Sequence, residues 1–295
     1  MRQRRGSTKK ALAMLLAVLV VVTSVELPTP EYAEAASTTC SVSGCGGTYS
    51  NGFCSKNSSH YEAPTKNGEG YYEIGNAGEL YWFAAHVNAG NLTSNAVLTA
   101  DIVVNEGTMT AESTGVREWV PICENPRGPA DGAVADLSKV FSGTFDGKGH
   151  CISGLFYNDA TKERVGLFGG ITDGCVKNVG VTNSYIKAKA LVGGIVGHAV
   201  DGEIIGCYNE SMITSENGSC FMGGIVGFCY HGVIRSCFNS GAIIGENGYD
   251  VGGIVGDITD TQQIGMENCY NVGNVTGRTA VGGIAGEAYT YIRNC

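Results

Sequence analysis

Charge is scarce in this sequence. Asp, Glu, Lys and Arg make up 16% of 295 residues, and the formal net charge is −9. Beyond Lys10 there is no run of Lys or Arg, so neither a nucleic acid backbone nor an anionic membrane would meet a basic surface. Long apolar runs are missing after Val25, and nothing there approaches the ~20 residues that cross a bilayer as a helix. The sequence holds no H-E-x-x-H, no G-x-S-x-G and no P-loop pattern. The signatures of zincin, α/β-hydrolase and P-loop NTPase chemistry are therefore excluded. Helical periodicity is rare too. Past residue 92 the apolar runs are short and broken by Gly and Asn, which excludes a helical bundle.

Glycine is what the chain has instead, 45 residues of it. The block Val192-Gly-Gly-Ile-Val-Gly197 recurs from Met222, from Val251 and, as Gly-Gly-Ile-Ala-Gly, from Val281. A looser copy is Val165-Gly-Leu-Phe-Gly-Gly170, and start-to-start spacings are 27, 30, 29 and 30 residues. After each block comes a second landmark: Val176-Lys-Asn-Val179, Ile204-Ile-Gly-Cys207, Ile234-Arg-Ser-Cys237, Met266-Glu-Asn-Cys269 and Ile292-Arg-Asn-Cys295. Three copies continue as Tyr208-Asn209, Phe238-Asn239 and Tyr270-Asn271. Two or three short β-type runs per period predict one coil of a parallel β-solenoid, with equivalent residues stacked in columns. Ile195, Ile225, Ile254 and Ile284 would make one inward column, and Val179 with the four landmark cysteines another. Glycine at the corners would supply positive φ or close backbone approach.

The glycine block followed by [IV]-x-[NS]-[CV] resembles the GLUG motif of bacterial surface and secreted proteins, over residues 165–295. Phe141-Ser-Gly-Thr-Phe-Asp-Gly-Lys-Gly-His-Cys-Ile-Ser-Gly-Leu155 resembles a stretch that often precedes such repeats. The resemblance implies an all-β, right-handed parallel β-helix that is extracellular. Such regions occur in adhesin-like proteins and in non-catalytic parts of some IgA-cleaving metallopeptidases. It implies no single activity.

The front of the chain reads as three further parts. Residues 1–36 look like a secretory signal: Arg2, Arg4, Arg5, Lys9 and Lys10, then an uncharged stretch from Ala11 to Val25, then Ala33-Glu-Ala35 as a cleavage site. Its removal would leave a more acidic, exported protein with no membrane segment. Residues 37–64 form a cysteine-rich leader, Cys40-x4-Cys45-x8-Cys54-x5-His60, with Tyr49-Ser-Asn-Gly-Phe53 as a turn between its halves. Three thiolates and an imidazole suit tetrahedral zinc. The leader is similar to a short cysteine knuckle of some Firmicutes surface proteins, although the usual pattern has C-x2-C pairs and no His60. A disulfide with a spare Cys and an unstructured linker are the alternatives. Residues 65–164 would hold a cap and the first coils. Asn76-Ala-Gly-Glu79 has capping-box spacing, Leu80, Phe83, Ala84 and Val87 share a helical face, and Gly90 is a stop. The short helix should cover the open end of the solenoid. Residues 95–104 read as first coil strands, and residues 105–140, with Pro121, Pro126 and Pro129, as a loop projecting from the flank.

Candidate chemistry is sparse. Trp119, with Arg117 and Arg127, would sit on the loop as a ligand contact. Tyr208, Phe238 and Tyr270 would stack into an aromatic ladder, ligand-binding if outward and core if inward. Asp146-Gly-Lys-Gly-His150 reads as a tight turn, and Asp173, Asp201 and Asp257 read as turn residues. All twelve cysteines follow the signal. The landmark cysteines are expected as an inward column of thiols, with disulfides between neighbouring coils as the alternative. Chain end Cys295 falls inside a repeat with no sortase-type signal, so the chain reads as a fragment from which any catalytic or anchoring domain would be missing. The leading expectation is an exported, adhesin-like binding scaffold contacting surface glycans or proteins. The alternatives are a β-helical carbohydrate-active enzyme, the non-catalytic part of a larger metallopeptidase, or a structural stalk.

Overall fold

The computed structural model describes residues 39–124, 140–216 and 220–295, and of 260–264 the backbone. The signal region, Pro126, Arg127 and Pro129 lie outside the described residues.

The glycine-block period is the turn of a parallel β-solenoid. One strand per turn forms a five-stranded parallel sheet: Glu163–Val165, Ala190–Gly193, Met222–Gly223, Tyr249–Gly252 and Thr279–Gly282. Register stacks Val165, Val192, Met222, Val251 and Val281 in one column. A second sheet carries the strand after each block, as in Val196–Val200 and Val226–Tyr230, and then the landmark strand, as in Glu203–Ile205 and Val233–Arg235. A third carries Gly180–Lys187, Tyr208–Ser215, Phe238–Asn239 and Tyr270–Asn271. Along Tyr208–Ser215 the side chains alternate outward and inward, which is the period of a strand with one face in the core.

The corners are left-handed, and most are not glycine. Asp173, Asp201 and His231 hold φ near +50° before each landmark strand. Asn178, Gly206, Ser236, Asn268 and Asn294 hold φ between +51° and +64° just after it, before the last residue of the landmark. Short polar side chains and glycine tolerate this region best, which accounts for the Asn, Gly and Ser at that position. Asp173 and Asp201 are turn residues as expected. Asp257 is not: it lies on the strand Val255–Glu267 and is 8% exposed.

The block glycines serve close approach. A Cβ on Gly224 would lie 2.4 Å from both the Gly253 carbonyl oxygen and the Asn239 amide carbon. The same contact joins Gly194 to Asn209 and Gly253 to Asn271. This seam divides the interior. On one side lies the larger apolar cluster, with Ile195, Ile225, Ile254, Cys207, Cys237 and Cys269. On the other lies a smaller one, with Val192, Met222, Val251, Ile213 and Ile243. Along the seam runs a ladder of side-chain amides. Asn209 Nδ2 donates to Asn239 Oδ1 at 2.7 Å, and Asn239 Nδ2 to Asn271 Oδ1 at 2.8 Å. Asn239 also donates to the Gly241 carbonyl (2.9 Å) and accepts from the Gly241 N–H (3.2 Å). Its two donors and both acceptor sites are thereby used, which is what burying an amide requires.

The helix Ala77–Asn88 covers one end of the larger cluster. Leu80, Phe83, Ala84 and Val87 are buried, and the Phe83 ring meets Phe141 and Phe145. Asn76 Oδ1 accepts from Glu79 N–H, while Glu79 Oε2 accepts from Gly75 N–H. The capping box is thus closed one residue early. His86 stacks on Trp82 as packing.

Two expectations are corrected here. The leader is not a separate unit; it belongs to the same compact unit as the solenoid. Its hairpin, Tyr49–Ser50 against Phe53–Cys54, turns at Asn51 and Gly52, both with positive φ. The Gly52 backbone packs so tightly on Gly78 that neither position admits a Cβ. Residues 105–124 do not project either. Trp119 N–H bonds the Phe156 carbonyl, Ile122 N–H bonds the Leu167 carbonyl, and Met109, Trp119, Ile122 and Cys123 are buried. These apolar side chains hold the segment against the coils despite its irregular backbone.

Candidate functional site

An aromatic column runs along the outer surface of the coils. In-register pairing places Gly180, Tyr208, Phe238 and Tyr270 on successive coils. Each ring points outward because the next residue, Asn209, Asn239 or Asn271, is the one committed to the buried ladder. Tyr208 and Phe238 stack at 4.9 Å and 1°, and Phe238 and Tyr270 at 5.1 Å and 5°. The Tyr208 ring lies over Gly180, where a Cβ would be 2.0 Å from its Cζ. Stacking covers the ring faces, so the column offers ring edges along its length and one open face at Tyr270, which is 53% exposed. Tyr208 and Phe238 are half-buried.

Trp119 does not join this surface. It is 1% exposed, its indole N–H donates to the Gly166 carbonyl at 3.0 Å, and its ring meets Tyr81 edge-on. A large apolar ring beside an end cap is drawn into the core. Arg117 lies over the Phe53 ring at 3.6 Å, tying the segment to the leader.

Sequence reasoning missed one polar group. Asp257 and Glu287 are partners on adjacent parallel strands, below Phe228 in the same column. Burial first, then the charges of Asp250 and Glu287, push the Asp257 carboxyl up to about 6. Neighbouring strands stand about 4.8 Å apart, close to the roughly 5–5.5 Å between the carboxyls of retaining glycosidases. The signal was available: both residues fall six positions after the start of their glycine block. By contrast, Asp146 makes the expected tight turn. It accepts from Lys148 N–H and Asn178 Nδ2 and pairs with Lys148 Nζ at 3.1 Å.

Three of the four landmark cysteines form the inward column; Cys295, expected in it, is exposed. Cys207, Cys237 and Cys269 are buried free thiols that donate to carbonyls of Val176, Ile204 and Ile234 at 3.5, 3.6 and 3.7 Å. Burial pushes the Cys237 thiol well above its ordinary range, which keeps it protonated and unreactive.

The leader brings its four candidates together. The donor atoms of Cys40, Cys45, Cys54 and His60 all lie within 4.8 Å of one another. Cys40 Sγ is 3.6 Å from His60 Nδ1, and Cys45 Sγ is 3.4 Å from Cys54 Sγ. Burial acts to raise the Cys54 thiol, but the N–H groups of Lys56 and Asn57 and the thiols of Cys45 and Cys40 bring it down to about 6.

The chain matches no family model. Over 78 residues it is 37% identical to a protein of Evansella cellulosilytica provisionally named a Gly-rich membrane protein, spanning 25% of this chain and 9% of that one. In fold it is similar to the crystal structure of a provisionally assigned immunoglobulin A1 protease from Bacteroides ovatus. The TM-score is 0.53 at 21% identity, covering 78% of this chain and 66% of that one. The chain therefore spans less than two thirds of either. At that identity the second likeness bears on the fold, a β-solenoid. No helix among the described residues is long and apolar enough to cross a membrane.

Proposed function

We propose that the protein is an exported, GLUG-like binding scaffold, adhesin-like in role, which contacts glycans or proteins of a neighbouring surface. One observation carries the reading: the outward column Tyr208–Phe238–Tyr270, in register across three coils and open at Tyr270. A rigid scaffold repeats the same contact at strand spacing, so an extended polymer can meet several equivalent positions with little ordering of the protein. The exposed Tyr270 face suits the apolar face of a sugar ring. The N-terminal signal reading and the acidic balance support export. The name of the Bacteroides ovatus protein fits a host-surface setting, and it also supports the alternative that this chain is the non-catalytic part of a larger secreted protease.

A second reading rests on Asp257 and Glu287. A carboxyl near 6 beside a second carboxyl is the arrangement of a general acid and its partner. The test is to incubate the chain with immobilised mucin glycans and record both retention and release of soluble fragments. Retention without release, weakened at least tenfold by Tyr270→Ala, is the expected result. Fragment release that Asp257→Asn or Glu287→Gln abolishes would replace binding with carbohydrate cleavage.

A further inference from the structure

We propose that Cys40, Cys45, Cys54 and His60 form a closed, tetrahedral zinc site whose work is mechanical: it fastens the leader over the capped end of the solenoid. This goes beyond the binding reading and does not depend on it. With Zn–S about 2.3 Å and Zn–N about 2.0–2.1 Å, tetrahedral ligand atoms sit roughly 3.5–3.8 Å apart. The contacts of 3.6 Å for Cys40 with His60 and 3.4 Å for Cys45 with Cys54 are close to that spacing. The whole set lies within 4.8 Å, so a small inward adjustment completes it. Three sulfurs and one imidazole favour zinc over magnesium or calcium, which take oxygen. Four protein ligands leave no open position, which marks a structural rather than a catalytic ion.

The surroundings are built for it. Lys56 N–H approaches Cys54 Sγ at 3.5 Å, a contact that supports a thiolate. A Cβ on Gly47 would lie 2.5 Å from Cys54 Sγ, so any larger residue there would displace this sulfur from the cluster. His60 Nε2, the ring nitrogen left over, faces Asn57 Nδ2 at 3.1 Å; with Nδ1 on the metal Nε2 carries the proton, so binding turns the Asn57 amide to present its oxygen. On binding, the thiol protons still present leave to solvent, and three thiolates and neutral imidazole Nδ1 take the metal.

What the site holds is the helix start. Cys54 ends the hairpin whose turn is Asn51-Gly52. Asn51 Oδ1 accepts from Ala77 N–H at 3.2 Å, and its carbonyl accepts from Gly78 N–H at 2.9 Å. These are two of the donors that a helix N-terminus leaves without partners in its own turn. Phe53 is packed among Tyr61, Tyr81 and Arg117. Metal that fixes Cys54 to Cys40, Cys45 and His60 fixes this clasp.

The experiment titrates the reduced, metal-free full chain with cobalt(II), then with zinc. One equivalent per chain is expected, with the intense visible bands of tetrahedral cobalt and thiolate charge transfer, displaced by zinc. His60→Ala and Cys54→Ser should each weaken uptake at least tenfold, while Cys175→Ser should not. Zinc should slow hydrogen exchange at the Ala77 and Gly78 amides at least tenfold over the metal-free chain. No saturable uptake, an octahedral spectrum, or a Cys45–Cys54 bridge that metal cannot prevent would overturn the site. Uptake with unchanged exchange at Ala77 and Gly78 would overturn the fastening role.

Discussion

At the scale of single residues, two titratable groups, one buried and one half-buried, pull stability in opposite directions. Asp257 is raised from 3.8 to about 6 by burial and by Asp250 and Glu287. Between those values the folded state keeps a proton that the unfolded chain has lost, so its contribution is present below 3.8 and lost as pH rises through about 6. His198 is lowered from 6.5 to about 4 by burial and by the Arg164 charge. There the unfolded chain binds the extra proton, so stability is present above 6.5 and lost as pH falls through about 4. The two slopes oppose each other. Asp257→Asn should therefore raise stability at pH 7 by on the order of 2 kcal/mol and leave it nearly unchanged at pH 3.5. Denaturant unfolding at a series of pH values checks this, and a variant gain that is the same at both ends would refute it. Asn239 gives the second prediction at this scale. Asn239→Ala leaves the Gly241 N–H its 3.4 Å bond to the Asn209 carbonyl but strips partners from Asn209 Nδ2, Asn271 Oδ1 and the Gly241 carbonyl. Burial of those groups without partners should cost about 3 kcal/mol, read from the unfolding midpoint.

At the scale of the coil, the glycine block is a spacing device. Its second glycine faces the amide ladder of the neighbouring sheet at Gly194, Gly224 and Gly253, whereas a Cβ on Gly283 would meet nothing within 4 Å. The same motif position thus has two outcomes. Gly224→Ala should destabilise by about 1–3 kcal/mol through overpacking, whereas Gly283→Ala should stay within about 0.5 kcal/mol of the parent. Equal effects in thermal unfolding would contradict the seam. The block itself was legible in the sequence, since its period is unbroken. The reason for its glycines was not: positive φ is carried by Asp201, His231, Asn268 and their equivalents. Only the cross-section shows that two strands meet at Gly224 and Asn239.

For the whole molecule, stability is graded along the axis. The helix and leader cover one end, while the coil at Tyr270–Arg293 leaves Val272, Tyr289 and Tyr291 exposed. In the 295-residue chain, where the coil at Tyr270–Arg293 packs on one neighbouring coil, opening should begin there. Amide exchange should be fastest from 279 to 293 and slowest in the coils around Val196 and Val226. Uniform protection across the coils would mean a single cooperative unit and contradict that gradient.

The sequence by itself determined the period, the inward columns and the helix at the end of the stack. Each is written in local pattern: glycine blocks at fixed spacing, Ile and Cys at constant offsets, Leu80 and Phe83 on one helical face. Tertiary structure decided what depends on residues far apart in the chain. It buried Trp119 beneath the cap, turned Tyr208 outward by committing Asn209 inward, paired Asp257 with Glu287, and gathered three cysteines and His60 beside the helix start. The physical reason is the same in each case. A side chain's direction in a solenoid is set by the coils above and below it, and spacing within one coil does not carry that information.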